Sequence, residues 1–230
     1  MIAVTFALPT ESSGFIRLLQ NRERPADNII IGRLHGKPVE VLHTGVGERV
    51  ARARVDAFLA QRLPRVLVSS GFAGALSDEL VVGDLLLAEN FSAPDLLAVV
   101  RRALAGRALT MGKLHTTSQI TASSADRAQL AGETGAAAAD METEFITEAC
   151  AQKGIPMLSM RVITDTPAAT FPVPPQILFD LQRQRTNFGS LAFYLARHPG
   201  AIGRLLAFAR QVSTARRSLA STLQQVISAL

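Results

Sequence analysis

The strongest constraint on the fold is a set of short, nearly unbroken apolar runs that recur along the chain, none long enough to cross a bilayer. Residues 2–8, 65–70, 81–88 and 155–163 are such runs, rich in Val, Ile and Leu and bounded by glycine, proline or polar residues. Continuous apolar strands belong to a sheet that is covered on both faces. Residues 48–62 place Val50, Ala51, Val55, Phe58 and Leu59 on one helical stripe, and residues 94–105, 125–133 and 141–153 show similar periodicity. This alternation predicts a single-domain α/β fold, a three-layer α/β/α arrangement around a mixed, largely parallel twisted sheet. The 230 residues, 48% apolar with a mean hydropathy of +0.22, are enough for one substantial core.

Other segments fill in the frame. Residues 11–22 have helical spacing through Phe15, Leu18 and Leu19, and residues 28–34 and 39–44 read as a hairpin around His35-Gly36-Lys37-Pro38. The strand at 65–70 is expected to stop at Gly71-Phe72-Ala73-Gly74. Prolines keep residues 166–175 from becoming helix or central strand, so this loop is expected to fold over the strand ends. From residue 176 the chain reads as helix almost to its end, with breaks at 187–189 and 198–200. The expected division is therefore a core over 1–175 and an arginine-rich helical extension over 176–230 packed on the same domain.

Composition narrows the partners. The net charge of +5 is concentrated beyond Asp180, where no acidic residue follows and Arg183, Arg185, Arg197, Arg204, Arg210, Arg216 and Arg217 all fall. Arginines on helices usually form a solvated face; the alternative is attraction to phosphates, nucleic acid or anionic lipid. One tyrosine and no tryptophan leave few stacking platforms, which argues against nucleic acid. Ile202, Leu205, Ala209, Val212, Leu219, Leu223, Val226 and Leu230 form an apolar stripe. A helix packed on its own domain or a dimer mate explains that stripe, and peripheral membrane contact is the alternative. Cys150 is the only cysteine, so no internal disulfide can form, and a cytoplasmic location is expected. His35, His43, His115 and His198 are too scattered for a metal motif, and Val50 occupies the last position of the Gly45-Val46-Gly47 match to a dinucleotide loop. Neither metal nor organic cofactor is expected.

In open α/β sheets ligands bind beyond the carboxyl ends of strands. Four groups occupy such places: Glu11, the 71–74 turn, Asp140-Met141-Glu142, and the stretch from Arg161 through Thr164 to Asp165. Singly, each has an ordinary structural role: Glu11 as a first-turn acid, Asp140 as a helix cap, Asp165 as a turn residue.

Taken together, Ala7-Leu8-Pro9-Thr10-Glu11, Thr44-Gly45-Val46-Gly47, Ser70-Gly71-Phe72-Ala73-Gly74, Val82-Gly83-Asp84, Ala139-Asp140-Met141-Glu142 and Arg161-Val162-Ile163-Thr164-Asp165 resemble the nucleoside phosphorylase and nucleosidase superfamily. The likeness is greatest to the branch that hydrolyses methylthioadenosine and adenosylhomocysteine. It implies a nucleoside phosphorylase-like fold, a purine nucleoside as small-molecule substrate, and a homodimer or higher homo-oligomer. It assigns Asp165 as the acid that protonates N7 of the leaving base, Glu142 to the ribose hydroxyls with Met141 against the sugar, and Glu11 to the attacking water. Phe72, Ala73 and Gly74 would line the ribose and base pocket, with Arg161 and Thr164 beside it. Gln119 and Ile120 would meet the base, although the family's aromatic side chain is missing there. Inorganic phosphate would be a co-substrate if the protein were a phosphorylase. Leu8-Pro9-Thr10-Glu11 replaces the cationic glycine-rich loop that phosphorylases use, and a carboxylate there disfavours phosphate. The C-terminal third resembles hopanoid-associated members through Leu195-Ala196-Arg197-His198-Pro199-Gly200, which would imply a lipid-linked adenosine.

Overall fold

The computed structural model describes residues 1–230 except 122, 170, 175, 176, 178, 181–183 and 187. The described residues build a three-layer α/β/α fold around one mixed sheet. Its strand order is β2-β3-β4-β1-β5-β10-β6-β7, with β9 branching from β5 and β8 pairing with β9.

The centre is parallel. Strand β1 (Ile2–Phe6) lies between β4 (Lys37–His43) and β5 (Val66–Ala75), and β10 (Met157–Asp165) runs beside β5. All five residues of β1 and all nine of β10 are buried, as expected for strands covered on both faces. Antiparallel pairs lie further out: β2 (Gln20–Ala26) with β3 (Ile29–Leu34), β3 with β4, β6 (Leu85–Ala88) with β10, and β9 (Ala138–Asp140) with β5. Parallel pairs β6 with β7 (Thr110–Gly112) and β8 (Leu114–Thr116) with β9 complete the sheet.

One face is covered by α1 (Pro9–Ile16), α3 (Pro94–Ala103) and the second half of a long C-terminal helix, whose Phe15, Val100, Leu219, Leu223 and Val226 join the sheet in the main core. The other carries α2 (Glu48–Gln61) and α5 (Thr143–Gln152), which bury Val55, Phe58, Leu59, Ile146 and Cys150. Helix α4 (Ser124–Thr134) starts at Ser123, whose hydroxyl oxygen accepts the Asp126 N–H at 3.0 Å, and ends at Gly135 with φ of 65°.

Several expectations need correction. The helix expected over 11–22 ends at Ile16, and Gln20–Ala26 instead forms an edge strand, exposed along its length. Its order comes from backbone pairing with β3, which leaves no alternation for a sequence to show. Strand β5 does not stop at the glycines but runs through them to Ala75. The run at 81–88 forms a strand only from Leu85, because Asp84 accepts the Val81 N–H at 2.8 Å and closes a turn. Where helix was expected from residue 176, Phe179–Asp180 (β11) pairs antiparallel with Arg185–Thr186 (β12). Positions 175, 176 and 183, and the break at 187, lie outside the described residues.

The hairpin turn is two residues shorter than expected. His35 and Gly36 adopt φ of 49° and 77°, a primed turn whose twist matches its strands, while Lys37 and Pro38 already belong to β4. The chain ends in α6 (Phe188–Arg197) and α7 (Ala201–Ala229), separated by the break at His198-Pro199-Gly200. Among the described residues no helix is long and apolar enough to cross a membrane.

Candidate active site

At the carboxyl ends of β1, β5, β9 and β10 lies a cavity of about 310 Å³. Ten of the eleven residues singled out in the sequence line it: Glu11, Phe72, Ala73, Gly74, Gln119, Ile120, Met141, Glu142, Thr164 and Asp165. The eleventh, Arg161, lies beneath. Most of the remaining wall is apolar, with Leu8, Val46 and Leu76 joined by Phe171 from the loop and Phe208 and Val212 from α7. The rings of Phe171 and Phe208 meet at 5.6 Å, so the proline-rich loop does close over the strand ends.

Glu11 sits in the first turn of α1. Its carboxylate accepts the Leu8 N–H at 3.1 Å and the Phe72 N–H at 3.3 Å, tying the helix to β5. Gly71 has φ of 153°, and a Cβ there would lie 3.2 Å from Glu11 Oε2, so the bare strand lets the acid lie over it. Burial raises the pKa of Glu11, against the pull of those N–H groups and of Arg161.

Glu142 follows β9 and accepts the Gly47 N–H at 2.9 Å. Burial pushes its pKa up to about 8, with the charges of Asp140 and Glu11 acting in the same direction. Neighbouring Asp140 is committed elsewhere. It accepts Arg161 Nε at 3.1 Å and Nη2 at 2.9 Å, and the Thr116 hydroxyl at 2.8 Å. Arg161 in turn donates to Ser69 Oγ at 2.8 Å and to the Met160 carbonyl at 2.9 Å. The Arg161–Asp140 pair thus sets the floor under the two glutamates, with Asp140 reaching the cavity wall and Arg161 lying beneath it.

That floor contains a second cavity of about 10 Å³, lined in part by Glu11, Glu142, Arg161, Ser70 and Thr5. The hydroxyls of Ser70 and Thr5 are buried there without a partner among the described residues. Its size and polarity suit one water molecule and nothing larger.

Asp165 ends β10. Its Oδ1 accepts the Thr164 hydroxyl at 3.0 Å, and its Oδ2 is ion-paired with Arg127 Nη2. Burial raises its pKa, opposed by the Arg127 charge and by the bonds from Arg127 and Thr164. A Cβ on Gly74 would fall 2.8 Å from Oδ2, so this glycine is what admits the carboxyl group.

Two residues of the site carry little signal in the sequence. Arg127 lies in an ordinary amphipathic helix beside Asp126, yet it is 1% exposed. Gln184 holds the cavity wall from the far side of the proline-rich loop: its side chain donates to the Val46 carbonyl at 2.9 Å and accepts the Val46 N–H at 2.7 Å. His115 lies in β8 and does not line the cavity.

The sheet order and the cavity at its strand ends define an α/β protein of the nucleoside phosphorylase type. The chain belongs to the phosphorylase superfamily, whose sequence profile matches residues 1–98 and 89–193. A 5′-methylthioadenosine/S-adenosylhomocysteine nucleosidase of Shewanella halifaxensis is 29% identical over 79 residues, which are 32% of this chain and 34% of that protein. The match thus spans about a third of the length of that curated relative. Among solved structures, the nucleosidase of the same name from Neisseria meningitidis, in complex with methylthio-immucillin-A, superposes with a TM-score of 0.76. It is 17% identical, with 100% of this chain and 99% of that one covered. The futalosine hydrolase of Helicobacter pylori, in a mutant form, gives 0.76 at 17% identity over 100% and 99%.

Proposed function

We propose that the protein cleaves the N-glycosidic bond of an adenine-type purine nucleoside, with water as nucleophile. The observation that carries this reading is the pairing of the two cavities. A large, mostly apolar one presents Asp165 and Glu142, and a polar space of single-water size lies beneath it beside Glu11. A purine and its ribose suit the first, and the second has no room for phosphate. Among the described residues lining the large cavity, Arg127 is the only cation, and it is already paired with Asp165.

In this reading Asp165, whose pKa burial raises, gives its proton to N7 as the C1′–N9 bond breaks. Glu142 binds ribose hydroxyls and, once ionised, stabilises the positive charge that grows on the sugar. Glu11 takes a proton from the water that adds to C1′. Met141 packs on the sugar, and Gln119 and Ile120 meet the base. Proton donor, base and nucleophile are all supplied without metal or organic cofactor. The names of the relatives, nucleosidase and hydrolase, point to the same reaction class.

Release of free base is the test, measured on methylthioadenosine, adenosylhomocysteine, adenosine, inosine and a lipid-linked adenosine, with and without phosphate. Phosphate-independent release of adenine is expected, and Asp165→Asn should lower kcat by roughly 10²- to 10⁴-fold with folding intact. Strict dependence on phosphate would make the protein a phosphorylase instead. Near-normal turnover of the Asn variant would sink the role of Asp165.

A further inference from the structure

Arg127 is the largest of the fully buried side chains. It reaches from α4 to the ends of two strands. Its Nη1 donates to the Ala75 carbonyl at 2.7 Å, its Nη2 pairs with Asp165 Oδ2, and its Nε is buried with no acceptor among the described residues. Strand β5 is shaped to admit it, since a Cβ on Gly74 would lie 2.8 Å from Oδ2 and 3.1 Å from Arg127 Nη1. The Ser124 hydroxyl donates to the Pro167 carbonyl at 3.2 Å, fixing the start of α4 against the loop that follows Asp165.

A buried ion pair is weak evidence for stability, and an orphaned Nε adds a further cost. The chemistry supplies a better reason for the pair. When Asp165 donates its proton, it leaves a carboxylate that is almost wholly buried, which would be strongly disfavoured without a cation beside it.

Taking Asp165 to be the proton donor, we propose that Arg127 is its positioning residue: it anchors Oδ2, leaves Oδ1 to face the base, and stabilises the carboxylate that remains. The proton passes from Oδ1 to N7, and the electrons of the C1′–N9 bond leave with the base. Water adds to C1′ and gives its proton to Glu11. Asp165 ends the step as a carboxylate held by Arg127.

Arg127→Met and Arg127→Gln remove the charge, the second keeping a donor for the Ala75 carbonyl, and Arg127→Lys restores it. The carboxyl carbon of Asp165 is titrated by ¹³C NMR, its signal identified by its loss in Asp165→Asn, alongside the pH profile of kcat/KM. In both neutral variants the Asp165 titration should move up by about one to three pH units, the size of effect an adjacent opposite charge exerts. The basic limb of the profile should follow it, kcat should fall roughly 10- to 10³-fold, and Lys should recover most of the loss. A purely structural arginine would lower activity equally at all pH values and leave the titration in place, and that result overturns the proposal. If Met prevents folding, Gln carries the same measurements. An inactive wild-type protein would refute the reading of the site, while the carbon titration would still decide whether Arg127 controls Asp165.

Discussion

Glu142 shows how burial alone can set the state of a site. Its pKa rises from 4.5 to about 8 on folding, first through desolvation and then through the neighbouring charges of Asp140 and Glu11. The folded protein therefore holds a proton that the unfolded chain releases above its ordinary pKa. Stability from this group is fully present below about pH 4.5 and is lost as the pH climbs toward 8. The Tm of the wild type should accordingly drop by at least a few degrees between about pH 5 and pH 8.5, and Glu142→Gln should flatten that decline. Parallel melting curves for the two proteins would show that Glu142 ionises freely. At this scale the acids were legible, because Glu11, Glu142 and Asp165 each follow a strand and so fall where ligands bind. Arg127 was not, since a single arginine on an amphipathic helix looks like a solvated one. Arg161 was legible as a polar residue near the site, but its commitment to Asp140 needs three-dimensional proximity across 21 positions of sequence.

Glycines in β5 mark where reading by element went astray. Gly71 and Gly74 look like a strand stop, since glycine weakens a strand and favours turns. In the fold they keep the strand going while removing the side chains that would collide with Glu11 and Asp165. Gly74→Ala tests this directly. Its backbone lies outside the positive-φ region, but the new Cβ would press on Asp165 Oδ2 at 2.8 Å. Asp165 must then shift, and kcat should drop about 100-fold with little change in Tm, as misplacement of a reacting group by an ångström can do. Full activity in this variant would mean that the carboxyl has room to spare. The exposed strand β2 was missed for a different reason. Its partner is backbone alone, so neither apolar period nor alternation marks it, and the helical spacing of the preceding residues extends in the sequence past the point where the helix ends.

The long helix α7 joins core and cavity in the whole molecule, and its two halves divide that work. The apolar stripe seen in the sequence is continuous from Ile202 to Leu230, but only its later part is buried. Leu219, Leu223 and Val226 are at most 1% exposed, packed with α1, α3 and the sheet, whereas Ile202 is 45% exposed, Ala209 is exposed, and Leu205 and Val212 are only partly buried. The first half instead supplies Phe208 and Val212 to the cavity wall. A stripe at helical spacing shows that a face is covered but not by what, which is why packing on the domain and contact with a membrane both fitted the same residues. The division makes opposite predictions for two truncations on one helix. Leu223→Ala removes a fully buried side chain and should cost about 2–5 kcal/mol, seen as a lower denaturant midpoint, with KM unchanged in whatever protein stays folded. Phe208→Ala removes a cavity wall that faces Phe171 and should leave the midpoint nearly in place while raising KM severalfold. If Phe208→Ala instead destabilised the fold as much as Leu223→Ala, the first half of α7 would be core rather than wall. The open side of the cavity would then have to be sought elsewhere.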